Sequence, residues 1–280
     1  MKILAILSLF LSLAFSAELR YFMQDENSPK FSQNYGDNGG KFALSDGVKI
    51  YYETYGKGDV IVVLHGGGLG SMQEMGGFID ELRKTHKVIA ISTRGHARSD
   101  IGAKPFSLKQ RADDIMAVLN AENVSEPVSL LGFSDGGYAA YSFAVHFKDY
   151  AKKLVTIGAG EVLATNKRFV FNQNEWQNYD AKFIAQQKSL MSEPHRYDEF
   201  LKMYEDMWNG LVINKEIFTR IQAKTLIING QNDPNSHLLT AINAYQSIPN
   251  ASIAIIVDTS HACFLENFDA VWAVVKPFLK

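Results

Sequence analysis

The fold is decided by the stretch VSLLGFSDGG, which spans residues 128–137. Its first part, Val128–Leu131, has the length and apolar character of a buried strand, and an alanine-rich pattern with helical spacing follows Gly137. A strand that turns directly into a helix forces its central residue into a strained conformation, and glycines on either side leave room for close backbone approach. The stretch therefore predicts a sharp turn with Ser134 at its tip.

Outward from that turn, apolar runs of strand length alternate with stretches of helical spacing. This alternation predicts an α/β architecture, a mostly parallel central sheet flanked by helices on both faces. The predicted parallel strands are Val60–Leu64, Val88–Ile91, Val128–Gly132, Lys153–Ile157, Thr225–Ile228 and Ser252–Val257. An Asp-Gly dipeptide at residues 46–47 is typical of a hairpin turn and joins two more predicted strands, Lys41–Leu44 and Val48–Thr54. Phe264–Phe278 is predicted to form the C-terminal helix.

One interval interrupts the alternation, because about sixty residues separate the strand ending near Ile157 from the one starting near Thr225. It predicts a helical cap insertion, residues 160–221, between two parts of one core, residues 41–159 and 222–280. One apolar helix face in the insertion consists of Phe200, Met203, Tyr204, Met207, Trp208 and Leu211, and further aromatic residues are Phe169, Phe171, Trp176 and Tyr179. These side chains either pack on the sheet or line an apolar pocket, and both interpretations stay open.

Ser134 is the candidate nucleophile, but a serine hydroxyl reacts only when a base takes its proton and a third group orients that base. Later in the chain, a strand leads to Asp233 and the last strand leads to His261. Open α/β sheets hold their sites at the carboxyl ends of such strands. We therefore expect Ser134, His261 and Asp233 to form a catalytic triad. Asp258 is the competing acid, and His96, in the loop after Val88–Ile91, is expected to border the pocket in a supporting role.

A second glycine cluster, Gly66–Gly68, follows the first parallel strand and His65. Glycine suits a loop whose amide must reach a substrate oxygen, because a side chain would obstruct the approach. The helix after the serine turn likewise begins with free N–H groups and a positive dipole. We expect the backbone N–H groups of Gly67 and Asp135 to form an oxyanion hole, with Gly68 as the competing donor.

Composition and spacing argue against several other kinds of site. The 28 Lys and Arg nearly balance the 30 Asp and Glu, and no block of like charge provides the clustered basic surface that nucleic acids require. No His, Cys or carboxylate cluster has metal-ligand spacing, and no phosphate-binding loop is present, so no metal and no cofactor are expected. Cys263 lies beside His261, but the turn is occupied by Ser134, which favours Cys263 as a small buried residue.

Residues 1–16 have the pattern of a secretory signal peptide. Lys2 precedes the apolar run Ile3–Phe15, which is shorter than the roughly 20 residues that span a bilayer. Ser16 ends a small-x-small motif and is the predicted last residue before cleavage, with an uncleaved membrane anchor as the alternative. The mature chain would be periplasmic or secreted, would begin with a polar arm, residues 17–40, and would hold one cysteine, so it could form no intrachain disulfide.

From about Lys41 to Lys280 the chain resembles the α/β-hydrolase superfamily in its common capped form. Besides the strand–serine turn–helix motif, Arg94–Asp100 resembles the family's R-G-x-G-x-S-D segment, and Ser260–Glu266 resembles its G-H-x-x-x-x-E region. The departures from these patterns are Thr93, Ala97 and Ser260. None belongs to the expected triad, so they affect the subfamily placement and leave the reaction class standing.

The resemblance implies acyl transfer without a cofactor, in which Ser134 attacks a carbonyl and water releases the acyl enzyme. Serine-dependent relatives include esterases, lactonases, thioesterases, peptidases, carbon–carbon bond hydrolases and perhydrolases. Because the insertion is rich in aromatic residues, we expect a small, fairly apolar carboxylic ester as substrate. The alternatives are an amide, a lactone or a carbon–carbon bond and, in another class, a ligand-binding protein without turnover. A small molecule is the expected partner, and the oligomeric state stays open.

Overall fold

The structure is a computed structural model that describes residues 35–164 and 181–280. The predicted signal peptide, residues 1–16, lies outside the described residues, as does most of the predicted arm, residues 17–40. Four aromatic residues of the predicted insertion also lie outside them: Phe169, Phe171, Trp176 and Tyr179. In the part of the chain that is described, no helix has the length and apolar character needed to cross a membrane.

Eight strands in the described residues form one sheet. They are β1 (Lys41–Ser45), β2 (Val48–Tyr55), β3 (Val60–Leu64), β4 (Lys87–Ile91), β5 (Val128–Phe133), β6 (Ala151–Ile157), β7 (Lys224–Gly230) and β8 (Ala251–Ile256). Their spatial order is β1-β2-β4-β3-β5-β6-β7-β8. β2 runs antiparallel to both β1 and β4, whereas all other neighbours are parallel. The predicted fold class is confirmed, and each predicted strand is present with small shifts at its ends.

Helices cover both faces of this sheet. They are α1 (Gly76–Leu82), α2 (Leu108–Ala121), α3 (Asp135–His146), α4 (Ala181–Leu190), α5 (Tyr197–Gly210), α6 (Lys215–Phe218), α7 (Leu238–Ser247), α8 (Cys263–Glu266) and α9 (Phe268–Leu279). α2, α3 and α7 share an apolar core with Val62 and Leu64, whereas α1 and α9 share another with Ile61 and Val63. Alternate residues of β3 thus enter opposite cores, as the two-residue period of a strand requires.

Local chemistry sets the ends of several elements. Asp46 and Gly47 have φ values of 52° and 78°, the left-handed conformation that a tight two-residue hairpin turn requires. The predicted helix Phe264–Phe278 is divided into α8 and α9. Asn267 causes the division, because its backbone leaves the helical conformation and its side chain accepts a hydrogen bond from the Ala270 amide, which caps a new helix.

The described end of the arm, residues 35–40, packs on β2. The amides of Gly36 and Asn38 donate hydrogen bonds to the Glu53 carboxylate at 3.0 and 2.8 Å. Glu53 is 2% exposed and also accepts a hydrogen bond from the Tyr51 hydroxyl at 2.7 Å. This segment is therefore a loop held against the sheet by one buried carboxylate.

Helices α4, α5 and α6 lie between β6 and β7, in the interval predicted to be an insertion. Backbone hydrogen bonds of 2.8 Å in both directions join Val162 to Ile213 and bring the two ends of this interval together. α5 carries the predicted apolar face and belongs to a third cluster, which comprises Leu69, Ile101, Phe106, Tyr197, Phe200, Leu201, Tyr204 and Met207. The first three come from segments that follow β3 and β4, so α5 lies over the carboxyl ends of these strands. The division into core and cap at residues 160 and 221 stays a prediction.

Candidate active site

The turn around Ser134 has the strained geometry that its sequence predicts. β5 ends at Phe133 and α3 begins at Asp135, so Ser134 alone links the strand to the helix. Its φ of 50° and ψ of −116° lie in a region that residues other than glycine rarely occupy. A β-carbon at Gly132 would overlap the carbonyl oxygen of Gly136, so glycine is needed where the backbone passes this close to itself. Ser134 therefore stands at the carboxyl end of the central sheet.

His261 and Asp233 meet Ser134 in one hydrogen-bonded row. The Oγ of Ser134 lies 2.9 Å from Nε2 of His261, and Nδ1 of His261 lies 2.8 Å from Oδ2 of Asp233. The other carboxylate oxygen of Asp233 accepts hydrogen bonds from the amides of Asn235 and Ser236, both at 2.8 Å. This buried carboxylate favours the tautomer in which Nδ1 carries the proton and Nε2 faces the serine hydroxyl. The structure thus brings together all three predicted residues.

The surroundings of His261 hold its ring in place. The ring packs against Phe133 with centroids 4.9 Å apart. A β-carbon at Gly158 would stand 2.9 Å from Cε1 of His261, so glycine leaves the space that the ring needs. Glu266 accepts hydrogen bonds from the Ser260 amide at 3.1 Å and thereby fixes the loop that carries the histidine. Sequence pattern does not single out Gly158, because its role depends on a loop from a different strand.

The expected oxyanion-hole residues are neighbours in space. A β-carbon at Gly67 would stand 3.0 Å from Cβ of Asp135. The Gly70 amide donates to the Gly67 carbonyl at 3.0 Å, and Gly68 has a φ of 68°, so the loop makes a tight turn. Among residues 35–164 and 181–280, we find no acceptor for the backbone amide of Gly67 or Asp135. Within these ranges the two N–H groups thus meet one condition for donation to a substrate oxygen, and the oxyanion hole of Gly67 and Asp135, with Gly68 as the competing donor, stays a prediction.

Two buried neutral histidines, His65 and His96, lie behind this loop. The Thr93 amide donates to Nε2 of His65 at 3.0 Å, so Nδ1 carries the proton and donates to the Gly66 carbonyl at 2.6 Å. Burial lowers the pKa of His65 to about 4 and lowers the pKa of His96 well below its usual value. The His96 ring lies 5.0 Å from that of Phe200, centroid to centroid. His65 thus ties two core loops together, and His96 lies between the core and α5.

Known proteins match the chain along most of its length. The family described as alpha/beta hydrolase fold matches residues 59–200, just over half of the chain. The chain belongs to the α/β-hydrolase family. The expectations drawn from the motifs around Ser134 and Arg94 are confirmed at the level of fold and family.

Curated relatives and solved structures agree with this membership. Serine hydrolase BPHL of Homo sapiens is 24% identical over 249 residues, covering 84% of this chain and 84% of the relative. The 2-hydroxy-6-oxononadienedioate/2-hydroxy-6-oxononatrienedioate hydrolase of Escherichia coli O81 (strain ED1a) is 24% identical over 265 residues, covering 83% of this chain and 91% of that enzyme. The solved structure of Est816, an N-acyl homoserine lactone degrading enzyme, has a TM-score of 0.69 at 25% identity and covers 85% of this chain and 100% of its own. This α/β-hydrolase is accordingly an enzyme of the serine-hydrolase type.

Glu74 is a residue of the α/β-hydrolase site that the sequence patterns do not reveal. It lies in a short helical turn, Met72–Met75, is 1% exposed, and accepts a hydrogen bond from the Gly66 amide. Burial raises the pKa of this carboxyl to about 8, so it is mostly protonated at neutral pH. Glu74 is therefore a neutral group that holds the loop of the expected oxyanion donor Gly67, residues 65–70, which is called the oxyanion loop from here on.

Arg111 of α2 and Tyr204 of α5 converge on Asp135. Nη2 of Arg111 lies 3.2 Å from Oδ2 of Asp135, and both side chains are buried. A β-carbon at Gly67 would overlap the Tyr204 hydroxyl, so α5 directly contacts the oxyanion loop. Burial raises the pKa of Asp135, and the Arg111 guanidinium opposes that rise. Helical spacing puts Arg111 one turn before the buried Ile115, a signal from which its burial could have been predicted.

The competing candidates take no part in the hydrogen-bonded row of Ser134, His261 and Asp233. Asp258 is exposed, and its amide bonds to the side chain of Gln231. Cys263 is fully buried, and burial raises the pKa of its thiol to about 12, so it stays protonated as a small core residue. Three other histidines, His146, His195 and His237, are exposed at the surface. Within the described ranges, no group of three or more His, Cys, Asp or Glu side chains could hold a metal ion.

Proposed function

We propose that this α/β-hydrolase cleaves small, fairly apolar carboxylic esters through the triad Ser134, His261 and Asp233. The observation that carries the proposal is the hydrogen-bonded row, 2.9 Å from serine to histidine and 2.8 Å from histidine to aspartate. These distances are those at which histidine can take the serine proton and aspartate can stabilise the resulting imidazolium.

The proposed reaction has two halves. The Oγ of Ser134 attacks the ester carbonyl while Nε2 of His261 takes the hydroxyl proton, and the amides of Gly67 and Asp135 donate to the tetrahedral oxyanion. Collapse breaks the ester bond, and the alcohol leaves with the proton from His261. Water then loses a proton to His261 and attacks the acyl carbon on Ser134. The bond between that carbon and Oγ breaks, His261 returns the proton to Oγ, and the carboxylic acid leaves.

Apolar side chains near the oxyanion loop support an apolar acyl group. α5 presents Phe200 to the loop after β4, where a β-carbon at Gly95 would stand 2.6 Å from its ring. Leu69 and Phe106 belong to the same buried cluster. Aromatic and aliphatic surroundings favour ligands with little polar surface, so short alkyl or aryl acyl groups are the preferred class.

The first test is labelling of the purified protein with a fluorophosphonate probe, which reacts with an activated serine. Labelling of the wild type is expected and should be lost in Ser134→Ala. Ser142→Ala is the matched control, because Ser142 lies on α3 and bonds to His146 rather than to the triad. A folded wild type that is not labelled would contradict the proposal and would favour a ligand-binding protein on this fold.

Substrate assays then separate bond types. We expect 4-nitrophenyl esters with short and medium acyl chains to have the highest kcat/KM, with the corresponding anilides and peptides much slower. Hydrolysis confined to amides would contradict the ester assignment and leave the triad standing.

A second candidate function is cleavage of a lactone or of a carbon–carbon bond. The similarity to the Escherichia coli 2-hydroxy-6-oxononadienedioate hydrolase and to the lactone-degrading Est816 supports it. The same triad geometry serves either reaction, so N-acyl homoserine lactones and 2-hydroxy-6-oxononadienedioate belong in the assay. A kcat/KM for either that exceeds every ester by about tenfold or more would favour the second candidate.

We also propose that the enzyme is exported to the periplasm or the medium after removal of residues 1–16. The basic Lys2, the short apolar run and the small-x-small motif ending at Ser16 support this location. The proposed partner is a small-molecule substrate, and neither nucleic acid nor stable membrane insertion belongs to the proposal.

A further inference from the structure

The carboxylate of Asp135 lies where a negative charge opposes the proposed reaction. The Asp135 amide is a proposed donor to the oxyanion, yet its side chain is 0% exposed, so water does not screen its charge. A carboxylate this close to a developing oxyanion repels it and raises the barrier, since transition-state charge is stabilised by fixed positive or dipolar groups. A compensating positive charge is therefore needed at this position.

Arg111 supplies such a charge from α2. Its Nη2 lies 3.2 Å from Oδ2 of Asp135, and Arg111 is 3% exposed. The guanidinium carbon lies 5.8 Å from the ring centroid of Phe106 and 5.6 Å from that of Tyr204. These rings keep the guanidinium out of water and beside the carboxylate, where the attraction between the two charges is strong.

The other titratable groups that face this ion pair are neutral: Tyr138, Tyr204, His65 and His96. Burial raises the pKa of both tyrosines, so they keep their protons. Burial lowers the pKa of both histidines, so they stay uncharged at neutral pH. Among the described residues facing Asp135, Arg111 is thus the cation that balances its charge.

We propose that Arg111 is a positioning residue for catalysis, which neutralises the Asp135 carboxylate so that the oxyanion forms beside a charge-balanced pair. This inference rests on the proposed function, because it takes the Asp135 amide as an oxyanion donor. Among the described residues, no side-chain nitrogen of Arg111 has a hydrogen-bond acceptor in good geometry. A buried arginine with a purely architectural role is normally held by several acceptors, so charge explains Arg111 better than hydrogen bonding does.

The test measures kcat, KM and the rate of fluorophosphonate labelling for Arg111→Met and Arg111→Lys. Without the cation, kcat and the labelling rate are expected to fall about tenfold to a hundredfold at the alkaline end of the pH profile, where Asp135 is ionised, because the unbalanced carboxylate destabilises the transition state. KM should change less than about threefold, since the effect falls on the transition state rather than on substrate binding. Arg111→Lys keeps the charge and should retain more activity than Arg111→Met.

A double variant, Arg111→Met with Asp135→Asn, separates charge balance from packing. Removal of the carboxylate charge removes the need for a cation, so the double variant should be at least about fivefold more active than Arg111→Met. In Arg111→Met alone, the Asp135 carboxyl becomes ionised as the pH rises, so kcat gains a descending limb that the double variant lacks. A merely structural role for Arg111 predicts neither result.

Lys109→Met is the matched control, because it removes an exposed cation from the same helix, and its kcat should stay within about twofold of the wild type. Equal kcat values and pH profiles for the single and double variants would overturn the proposal. If circular dichroism shows that Arg111→Met does not fold, the double variant alone is compared with the wild type. A loss in kcat of more than about a hundredfold then overturns the proposal, and a smaller loss supports it. A wild type that is not labelled would instead contradict the proposed function.

Discussion

The Glu74 carboxyl lies buried beneath the oxyanion loop, where it accepts a hydrogen bond from the Gly66 amide. Burial raises its pKa to about 8, and the hydrogen bond from Gly66 opposes this rise only in part. A carboxyl that is protonated in the folded chain and ionised in the unfolded chain makes stability depend on pH. The Gly66 amide of the oxyanion loop is therefore held by a carboxyl, that of Glu74, whose protonation changes with pH.

Glu74→Gln should remove a pH dependence from the stability of the enzyme. As the pH rises from 4.5 to about 8, the unfolded chain releases a proton that the folded chain keeps, so the free energy of unfolding falls. The slope due to this group is roughly 1.4 kcal/mol per pH unit. Glutamine has nearly the shape of glutamate and keeps an acceptor for the Gly66 amide, but it does not ionise. The free energy of unfolding of Glu74→Gln should therefore lack this dependence on pH.

Urea unfolding at several pH values between about 5 and 8 measures the effect. Glu81→Gln, at a partly exposed position on α1, is the matched control and should retain the pH dependence of the wild type. Parallel pH curves for the wild type and Glu74→Gln would contradict the prediction.

At the scale of elements, a buried ion pair joins the loop after β4 to α2. Nε of Arg94 donates to Oδ2 of Asp114 at 3.0 Å, and Nη2 donates to Oδ1 at 2.5 Å. Nη2 also donates to the Ser45 carbonyl at the end of β1, at 3.2 Å. Arg94 is 2% exposed, so its positive charge is stabilised by the Asp114 carboxylate rather than by water. The Arg94 side chain thereby joins three elements on one side of the sheet.

Asp114→Ala should destabilise the fold by about 3 to 5 kcal/mol, because it leaves a buried guanidinium without its partner. The free energy of unfolding, measured with urea, reports the loss. Asp113→Ala is the matched control on the same helix, since Asp113 is exposed and pairs with Lys109 at the surface. Its effect should be below about 1 kcal/mol. Similar losses in the two variants would show that the buried pair contributes no more than a surface charge.

At the scale of the whole molecule, stability comes from the two apolar cores on the faces of one sheet. Cys263 is the single cysteine of the chain and is buried, so no intrachain disulfide contributes. Folding is therefore independent of the redox state of the compartment, which is compatible with the proposed export.

Expression of the full chain in a bacterium should yield a periplasmic or secreted protein whose mass corresponds to a chain beginning at Ala17. The basic residue and the short apolar run at the N-terminus are the physical reason, since they are what the export machinery recognises. Leu9→Arg interrupts the run and should keep the uncleaved protein inside the cell. Intact mass spectrometry of each fraction makes the measurement. An exported protein that retains Met1 would contradict cleavage and favour a membrane anchor.

Much of the fold and the main site residues follow from local sequence. The strand runs, the Asp-Gly turn and the glycines around Ser134 act through neighbours in the chain, so their patterns are readable without a structure. The parallel sheet places the carboxyl ends of its strands at one edge, which is why Asp233 and His261 could be expected near Ser134. The sequence also contains a local signal for the division of the C-terminal helix, because asparagine is a common N-cap residue and Asn267 caps α9. The apolar spacing continues across Asn267 and by itself predicts one continuous helix.

The sequence by itself thus determined the α/β fold, the turn at Ser134 and the residues expected to meet there. Only the tertiary structure decided the contacts around them: Arg111 against Asp135, Glu74 beneath Gly66, and Tyr204 against Gly67. The physical reason is that the charge and the pKa of a buried polar side chain depend on which groups surround it. Those groups come from separate helices and loops, so their approach is settled only when the layers pack together.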